Sequence, residues 1–304
     1  MKTSELYDKV TTTIIELLEQ VDVKDFQNHW NKIVYSQPKN VFKNTLYTGI
    51  NTLYLSAIAF KRNYKTNNWL TFHEVQQLNA KIRKGSKSAE VIFFKMLYFD
   101  KNNQAIDYEQ AKLMKDITKK RYLKYYHVFN VDDVEGLPEQ WYNSPFKTHT
   151  DLTAWEQNNQ AEELIFNTGA EIEYKAQNSA YYSITNDKII LPIKEQFKGD
   201  TPFYNTCFHE LIHWTGHADR LNRELDKNDN QIHYAFEELT AEIGASFLCA
   251  HFGFENHLVN SAQYVKSWLT ALKNDTSMIF KASAKAQHAV NYILEFTKVK
   301  EELY

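Results

Sequence analysis

The sequence of 304 residues is poor in the features that mark several classes of protein. Two cysteines are too few for a disulfide framework and favour a reducing compartment. Eight glycines and five prolines exclude a fibrous or low-complexity chain. No apolar run approaches the roughly 18 residues of a membrane-spanning helix, so we expect no membrane partner. Residues 1–5 lead into an amphipathic pattern rather than a signal peptide, and the expected location is the cytoplasm.

What is present is typical of a folded globular protein, with 43% hydrophobic and 24% charged residues and a net charge of −3. The small net charge conceals an asymmetry. Residues 1–150 contain 22 basic and 16 acidic residues, whereas residues 151–304 contain 13 and 22. Residues 39–124 alone contain 17 basic and 6 acidic residues. A basic half rich in aromatics indicates a polyanionic partner, and a solvated lysine-rich surface is the alternative.

Local patterns in the first half predict a mixture of helices and strands. Thr71 and Glu74 form a capping-box pattern that predicts a helix ending near Arg83. Residues 39–50 are typical of a loop, and residues 100–121 form a charged insertion that is helical or irregular. The other predicted elements are helices at 6–21, 23–35 and 52–60 and strands at 89–99 and 122–131.

The second half follows a segment with two prolines, residues 136–150, which is typical of a linker. We predict a first domain over residues 1–138, a linker over 139–150 and a second domain over 151–304. The fold class is therefore α+β in two domains. The predicted elements of the second half are strands at 172–174, 180–183 and 188–191 and helices at 152–168, 201–216, 234–251, 261–272 and 283–296.

The helix predicted at 201–216 carries the H-E-x-x-H motif, with His209, Glu210 and His213. Residues four apart lie roughly 40° from one another around a helix, so both imidazoles point to one side and can bind one Zn²⁺. Glu210 follows the first histidine and is placed to take a proton from a water that the metal activates. The alternative is two unconnected histidines, but the apolar neighbours and Gly216 favour a metal site.

A catalytic zinc takes a third protein ligand, for which His217, Asp219 and Glu238 compete. Glu238 is preferred because it shares one stripe of its helix with small residues and with Glu242. Two carboxylates on a buried stripe are costly unless they meet a metal or its ligands. Glu242 would then hydrogen-bond a ligand histidine, while Glu237, about 100° away around the helix, is expected to face elsewhere.

Other residues of the second half have less definite roles. Stabilisation of an oxyanion could come from His217, His233 or Tyr182. Cys207 and Cys249 lie on apolar helix faces and are predicted to be structural. The histidines expected to be ordinary surface or packing residues are His29, His73, His127, His149 and His257.

Several stretches together resemble the ArdC-type antirestriction family. In the second half these are residues 209–217 (HELIHWTGH), 220–223 (RLNR) and 234–243 (YAFEELTAEI). In the first half they are residues 47–51 (YTGIN), 69–72 (WLTF), 83–85 (RKG), 128–132 (VFNVD) and 135–138 (EGLP). The resemblance extends over nearly the whole chain.

The resemblance implies an N-terminal domain that binds single-stranded DNA and a C-terminal zincin-like metallopeptidase domain. Such proteins are carried by plasmids and other mobile elements involved in conjugation, and they protect incoming DNA from host restriction. The family's metal ligands would correspond to His209, His213 and Glu238, with Glu210 as the catalytic glutamate. Zn²⁺ is the expected cofactor, although another divalent transition metal would also fit.

Sites for single-stranded DNA combine a basic groove with aromatic side chains that stack on bases. Core packing is the alternative role for each aromatic residue, and solvation for each lysine. No base-reading motif is visible, so we expect little sequence preference and strong salt dependence. The candidate contacts are Lys43, Tyr47, Asn51, Lys61, Arg62, Trp69, Lys81, Arg83, Lys84, Lys87 and Tyr125, with Phe94, Tyr98, Tyr126 and Lys124 in addition.

The leading hypothesis is therefore an antirestriction protein that binds single-stranded DNA and carries a gluzincin-like peptidase site. A host restriction protein or a peptide would be its further partner. Two alternatives remain open: a cytosolic zinc metallopeptidase whose first half docks substrates, or a DNA-binding protein with a purely structural metal.

Overall fold

The computed structural model describes residues 3–19, 37–142, 159–223, 225, 231–254 and 262–297. The helix expected at 23–35 and residues 143–150 of the predicted linker lie outside this part of the chain, as do His29, His149 and His257. None of the helices in the described part has the length and apolar character needed to cross a membrane.

The first half contains a six-stranded sheet and five helices among its described residues. Its helices are α1 (Thr3–Glu19), α2 (Ile50–Lys61), α3 (Phe72–Gln77), α4 (Tyr108–Leu113) and α5 (Glu139–Tyr142). Its strands are β1 (Lys39–Asn40), β2 (Thr45–Leu46), β3 (Asn68–Thr71), β4 (Lys81–Ile82), β5 (Ala89–Phe99), β6 (Ala105–Ile106), β7 (Thr118–Asn130) and β8 (Val134–Glu135).

The sheet has the order β2-β1-β3-β7-β5-β6, and β4 pairs separately with β8. Its dominant unit is the antiparallel pair β5–β7, which runs from Ala89 opposite Val128 to Phe99 opposite Thr118. The two long strands predicted from the sequence are therefore present. They form a ribbon that extends beyond the shorter strands, since β3 pairs only with the end of β7 near Asn130.

Two local expectations for the first half are wrong. The capping box at Thr71 and Glu74 is present, but α3 ends at Gln77 rather than near Arg83. The reason is Asn79, whose positive φ of 55° turns the chain into β4. Residues 39–50 are also not simply a loop, because β1 pairs with β3 and β2 extends the sheet edge.

The second half places a three-stranded sheet against a group of helices. The sheet has the order β10-β11-β9, with β10 antiparallel and β9 parallel to β11. Its strands are β9 (Glu171–Lys175), β10 (Tyr181–Ser183) and β11 (Lys188–Pro192). Its helices are α6 (Asn159–Asn167), α7 (Asp200–Thr215), α8 (Gln231–Phe252), α9 (Ala262–Asn274) and α10 (Met278–Glu295).

The two halves share a hydrophobic core. Helix α1 buries Leu6, Val10 and Ile14, as its helical spacing predicts. The ring of Tyr7 on α1 packs edge-on against Phe280 of α10 at 4.4 Å between centroids. The Thr11 hydroxyl donates to the carbonyl oxygen of residue 276 at 2.6 Å. The molecule is thus a two-domain α+β protein in which α1 joins the domains by packing.

Candidate metal centre

The candidate metal centre lies between α7 and α8, which approach each other closely. Gly244 of α8 faces Ile212 of α7, and a Cβ atom on Gly244 would lie 2.6 Å from Ile212 Cδ1. This separation is below van der Waals contact, so the side-chain-free position sets the spacing of the two helices. The spacing brings the histidines of α7 against the carboxylates of α8.

Three potential ligand atoms converge between these helices. His209 Nε2 lies 3.1 Å from His213 Nε2, and Glu238 oxygens lie 3.6 Å from His209 Nε2 and 3.5 Å from His213 Nε2. Bonds of about 2.0–2.1 Å in a tetrahedral arrangement place ligand atoms roughly 3.3 Å apart. The separations of His209, His213 and Glu238 therefore fit one metal ion.

The hydrogen bonds of the two imidazoles also fit a metal site. His209 Nδ1 lies 2.9 Å from Glu242 Oε2, and His213 Nδ1 lies 3.2 Å from Glu237 Oε1. A carboxylate can only accept a hydrogen bond, so each Nδ1 carries the proton and donates it. Each Nε2 then directs its lone pair towards the other ring and Glu238, which is the arrangement of metal-ligating histidines.

The position of Glu237 corrects the expectation that it faces away from the site. Glu237 is buried and accepts hydrogen bonds from His213 Nδ1 and from the guanidinium group of Arg223, whose Nη2 lies 2.7 Å from Oε1. Arg223 also donates to the Thr215 hydroxyl at 2.7 Å and to the Ile212 carbonyl oxygen. The helical angle alone missed this contact because the imidazole has two nitrogens: Nε2 of His213 faces Glu238, while Nδ1 reaches Glu237 on the neighbouring part of α8.

Gly216 makes room for this returning chain. A Cβ atom at Gly216 would lie 2.9 Å from Arg223 Nη2 and 2.9 Å from a methyl group of Leu225. The glycine after the H-E-x-x-H helix thus permits Arg223 to reach both the end of α7 and Glu237.

The electrostatics of the site favour positive charge at the point where the imidazoles meet. Burial alone would lower the pKa of His213, but the neighbouring carboxylates of Glu237 and Glu238 favour its charged form and raise it to about 9. Burial would raise the pKa of Glu238, yet both histidines hold it well below its ordinary value. Burial would likewise raise the pKa of Glu237, but hydrogen bonds from His213 and Arg223 lower it, so this carboxylate stays ionised. Several buried carboxylates therefore surround one place that suits a cation.

Glu210 lies beside this cluster and lines a cavity of about 520 Å³ together with His209, His213 and Glu238. Its carboxyl is buried, and burial raises its pKa above the ordinary value, partly opposed by the two histidines. A raised pKa is the direction that a general base working near neutral pH requires. The cavity also leaves room for a substrate beside the carboxylate.

The competing third ligands do not join the cluster. The Asp219 side chain is 88% exposed, and its oxygen lies 3.6 Å from His217 Nδ1 rather than near His209 or His213. Within the described residues, the one group of histidines, cysteines and carboxylates close enough to hold a metal ion is His209, His213 and Glu238.

Among the described residues that line the cavity, Tyr182 is the one that was considered for oxyanion stabilisation. Its hydroxyl lies 2.6 Å from Asp187 and accepts from Arg220 at 3.1 Å. Burial and the neighbouring Asp187 raise the pKa of Tyr182, so the phenol stays neutral. His233 is exposed on α8.

Both cysteines are buried on helix faces, as expected for structural residues. Burial raises the pKa of the Cys207 and Cys249 thiols far above the usual range, which removes nucleophilic character. His73 is exposed on α3, and His127 contacts the Ser88 hydroxyl and the ring of Tyr125.

Three predicted DNA contacts of the first half have structural roles instead. Trp69 is completely buried and its indole N–H donates to Asn67 Oδ1 at 2.8 Å, so it has no face free for a base. Tyr47 is buried as well. The Asn51 side chain donates to the carbonyl oxygen of Ile92 and accepts from its N–H, both at 2.7 Å, which fastens α2 to β5. The predictions for these three residues are corrected on this ground.

The predicted basic contacts are distributed around the first domain. Lys61, Arg62 and Lys87 line one cavity of about 550 Å³ beside α1. Within the described chain, the others form ion pairs or stand alone: Lys43 pairs with Glu74 and Arg83 with Glu135, while Lys81 and Lys84 are exposed. Tyr125 packs, partly buried, against the core. The structure thus does not gather the predicted set on one surface.

A different surface was missed in the sequence. Phe93, Lys95 and Tyr122 are exposed on the β5–β7 ribbon beside the predicted Lys124 and Tyr126. The available signal was the alternation of lysine and aromatic residues along β7 at 120, 122, 124 and 126, which places all four side chains on one face.

Comparisons with known proteins agree with this architecture. Residues 4–129 match the model of the N-terminal domain of anti-restriction factor ArdC, and residues 159–285 match that of a zincin-like metallopeptidase. The DNA primase TraC of Escherichia coli is 31% identical over 265 residues, which is 85% of this chain and 18% of that protein. The chain therefore spans about a fifth of the length of this curated relative.

Two solved structures are similar over almost the entire chain. The metal-free structure of antirestriction protein ArdC from plasmid R388 is 33% identical, with a TM-score of 0.78, covering 97% of this chain and 98% of that one. Its Mn(II)-bound structure is 34% identical with a TM-score of 0.75, covering 96% and 97%. The metal-bound relative and the zincin-like match indicate a divalent cation for a site of this kind. The resemblance and the two-domain α+β fold class are confirmed, and this chain belongs to the family of ArdC antirestriction proteins.

Proposed function

We propose that this protein binds single-stranded DNA through its first domain, protects incoming DNA from restriction, and carries a metal-dependent peptidase site in its second domain. The observation that carries the hydrolytic part is the convergence of His209, His213 and Glu238 beside the buried Glu210. A purely structural metal site does not require a buried carboxylate beside a cavity, so the position of Glu210 favours a catalytic site.

The protein's own residues would divide the work as follows. His209, His213 and Glu238 would hold the metal, with Zn²⁺ as the first choice for two imidazoles and a carboxylate. When bound, a divalent cation supplies Lewis acidity that lowers the pKa of a coordinated water towards about 7. Glu210 would accept the proton from the attacking water and transfer it to the leaving amine. Glu242 and Glu237 orient the imidazoles of His209 and His213 by accepting hydrogen bonds from the Nδ1 atoms.

An extended peptide is a suitable substrate for the cavity. Among the described strands, β10 forms an edge of its sheet and contributes Tyr181 and Tyr182 to the cavity wall. A peptide can add to such an edge through main-chain hydrogen bonds, which positions a carbonyl without demanding particular side chains.

Peptidase activity is tested by incubating the metal-loaded chain with a mixed peptide library and sequencing new termini. We expect cleavage that Glu210→Gln abolishes while metal content stays at the wild-type level. Glu195→Gln, which neutralises an exposed carboxylate of the same domain, is the matched control. Absence of cleavage by the wild-type chain, with and without single-stranded DNA, would contradict the hydrolytic assignment.

The DNA part of the proposal is supported by the match of residues 4–129 and by the excess of basic residues over 39–124. It is tested by introducing an unmethylated single-stranded plasmid into a restricting recipient that makes the protein. We expect more surviving transfers than without the protein, and an equal number in a recipient that lacks restriction. If Glu210→Gln protects as well as the wild type, protection rests on binding alone.

A further inference from the structure

The β5–β7 ribbon presents one face that no part of the proposed hydrolytic site uses. Side chains on a strand alternate between faces, and directly opposed residues of antiparallel strands lie on the same face. The register opposes Phe93 to Lys124 and Lys95 to Tyr122. We call this surface the ribbon face; it comprises Phe93, Lys95, Leu97, Phe99, Thr118, Lys120, Tyr122, Lys124 and Tyr126.

The composition of the ribbon face is unusual for a solvated sheet surface. It contains four aromatic residues and three lysines but no carboxylate. Phe93, Tyr122 and Tyr126 are 42%, 44% and 38% exposed, which is high for aromatic side chains. In the part of the chain that the structure describes, Lys95 and Lys124 form no ion pair. Each aromatic ring at the centre of the face thus has an unpaired cation opposite it.

The other face of the ribbon contacts the rest of the protein at its base and near its tip. Near the base, Asn51 of α2 clamps Ile92, and Leu123 and Tyr125 pack against the core. Near the tip, the ring of Tyr108 on α4 lies 5.6 Å from that of Tyr98. Between these two contacts Phe94 and Met96 are 36% and 42% exposed, so the other face is also partly open. The ribbon face differs in that its exposed aromatic rings lie directly opposite lysines.

We infer that the ribbon face is the platform on which single-stranded DNA lies, with bases stacked on Phe93, Tyr122 and Tyr126 and phosphates beside Lys95, Lys120 and Lys124. This inference rests on the proposed function, because it locates the DNA partner named there. It replaces the dispersed set of contacts that the sequence suggests, in which Tyr47 and Trp69 are buried.

Charge and shape both select a single strand over other occupants. A surface with three cations and no anion attracts a polyanion, and exposed rings attract unpaired bases, whose faces a duplex hides. From Phe93 to Phe99 the strand rises roughly 20 Å, which is enough for several nucleotides. A second copy of the chain would bring three further lysines against the same face, which like-charge repulsion disfavours.

The stacking part is tested with the full chain and a labelled oligothymidylate of about 15 nucleotides, by fluorescence anisotropy. Phe93→Leu and Tyr122→Leu keep an apolar side chain but remove the ring. We expect each to weaken binding by about five- to 150-fold, the range for loss of one base–aromatic stack. Phe166→Leu, at a ring that is 84% exposed on α6 in the other domain, is the control and should bind as the wild type does.

The phosphate part is tested through the salt dependence of the same titration. Each phosphate contact on a single strand contributes roughly 0.7 to the slope of log affinity against log salt concentration. Lys95→Ala with Lys124→Ala should lower the slope by about 1.4. Lys84→Ala with Lys87→Ala removes the same charge elsewhere on the domain and should leave the slope nearly unchanged.

The outcomes separate this inference from the proposed function. Wild-type affinity and slope in the ribbon variants, or an equal fall in both lysine pairs, would overturn the ribbon face as the platform while DNA binding stands. A wild-type chain that does not bind the oligonucleotide would overturn the DNA part of the proposed function and this inference with it. Circular dichroism spectra matching those of the wild type establish that each variant is folded.

Discussion

The two halves of the molecule use charged side chains in opposite ways. In the second half, Glu237, Glu238 and Glu242 are buried, and each lies against an imidazole or a guanidinium group. In the first half, the lysines of the ribbon face are exposed and lie beside aromatic rings instead of carboxylates. One region concentrates charge inside the protein, and the other displays it to solvent.

The fold constrains the buried charges far more than the exposed ones. An unpaired buried charge is so unfavourable that each carboxylate at the metal centre must have a partner, and the partners define its geometry. An exposed lysine has no such requirement. Glu90 is an informative exception, since it is buried in the basic half and pairs with Lys9 and Tyr54.

The largest expected effect is the loss of metal when a ligand carboxylate is removed. Glu238→Ala should weaken metal binding by more than about 100-fold, beyond the usual effect of changing an outer residue. Asp219→Ala, at an exposed carboxylate near the same helix end, should leave it unchanged. Metal content after gel filtration, measured by elemental analysis, checks both variants. Retention of metal in Glu238→Ala, or its loss in Asp219→Ala, would refute the proposed ligand set.

The next effect concerns the partners of the imidazoles. Glu237→Gln should weaken metal binding about 10- to 100-fold, because His213 loses its anionic acceptor and Arg223 loses its counter-charge. Competition with a chromophoric chelator measures the affinity, and Asp219→Asn serves as the control. Wild-type affinity would show that Glu237 stabilises Arg223 without positioning His213.

Glu90 tests whether a buried carboxylate in the first half behaves like those in the second. Glu90→Gln should lower the free energy of unfolding by about 1–3 kcal/mol at neutral pH, because Lys9 and Tyr54 lose a charged partner. Chemical denaturation measures this value. Exposed Glu109, which pairs with Lys112, supplies the control Glu109→Gln, with an expected effect below about 1 kcal/mol.

The difference in stability between the wild type and Glu90→Gln should depend on pH. Burial would raise the pKa of Glu90, but the hydrogen bonds from Lys9 and Tyr54 lower it overall. A folded-state pKa below the unfolded value of about 4.3 stabilises the native state fully above that pH. The stabilisation is lost as pH falls through the lowered folded-state pKa. The difference between wild type and Glu90→Gln should therefore shrink in acid, and a constant difference would contradict the role of the charge.

The smallest effect concerns the close packing that brings the metal ligands together. Gly244→Ala should destabilise the protein by about 1 kcal/mol, because overpacking against Ile212 exceeds the gain in helix propensity. In an Ile212→Ala background the same change should be neutral or stabilising. Thermal unfolding of the four proteins measures this coupling, and additive effects would mean that the helix spacing does not depend on Gly244.

Features of the fold and site that depend on neighbouring residues along the chain could be predicted from the sequence. Apolar spacing predicts α1, and the reciprocal hydrogen bonds of Thr71 and Glu74 predict the start of α3, because both depend on neighbours along the chain. The end of α3 is predicted too late, because Asn79 turns the chain and β4 then pairs with β8, a long-range contact that the local pattern does not show.

The four-residue spacing of His209 and His213 was enough to place both imidazoles on one helix face, since that spacing on a helix has only one geometry. The β-branched and aromatic residues of β5 and β7 were likewise enough to predict that both are strands. The contact of Glu237 with His213 and Arg223 depends on how the helices pack, as do the burial of Trp69 and the exposure of Phe93 and Tyr122. Burial and long-range contacts are set by which elements pack together, whereas helical spacing and strand alternation are set by the local backbone.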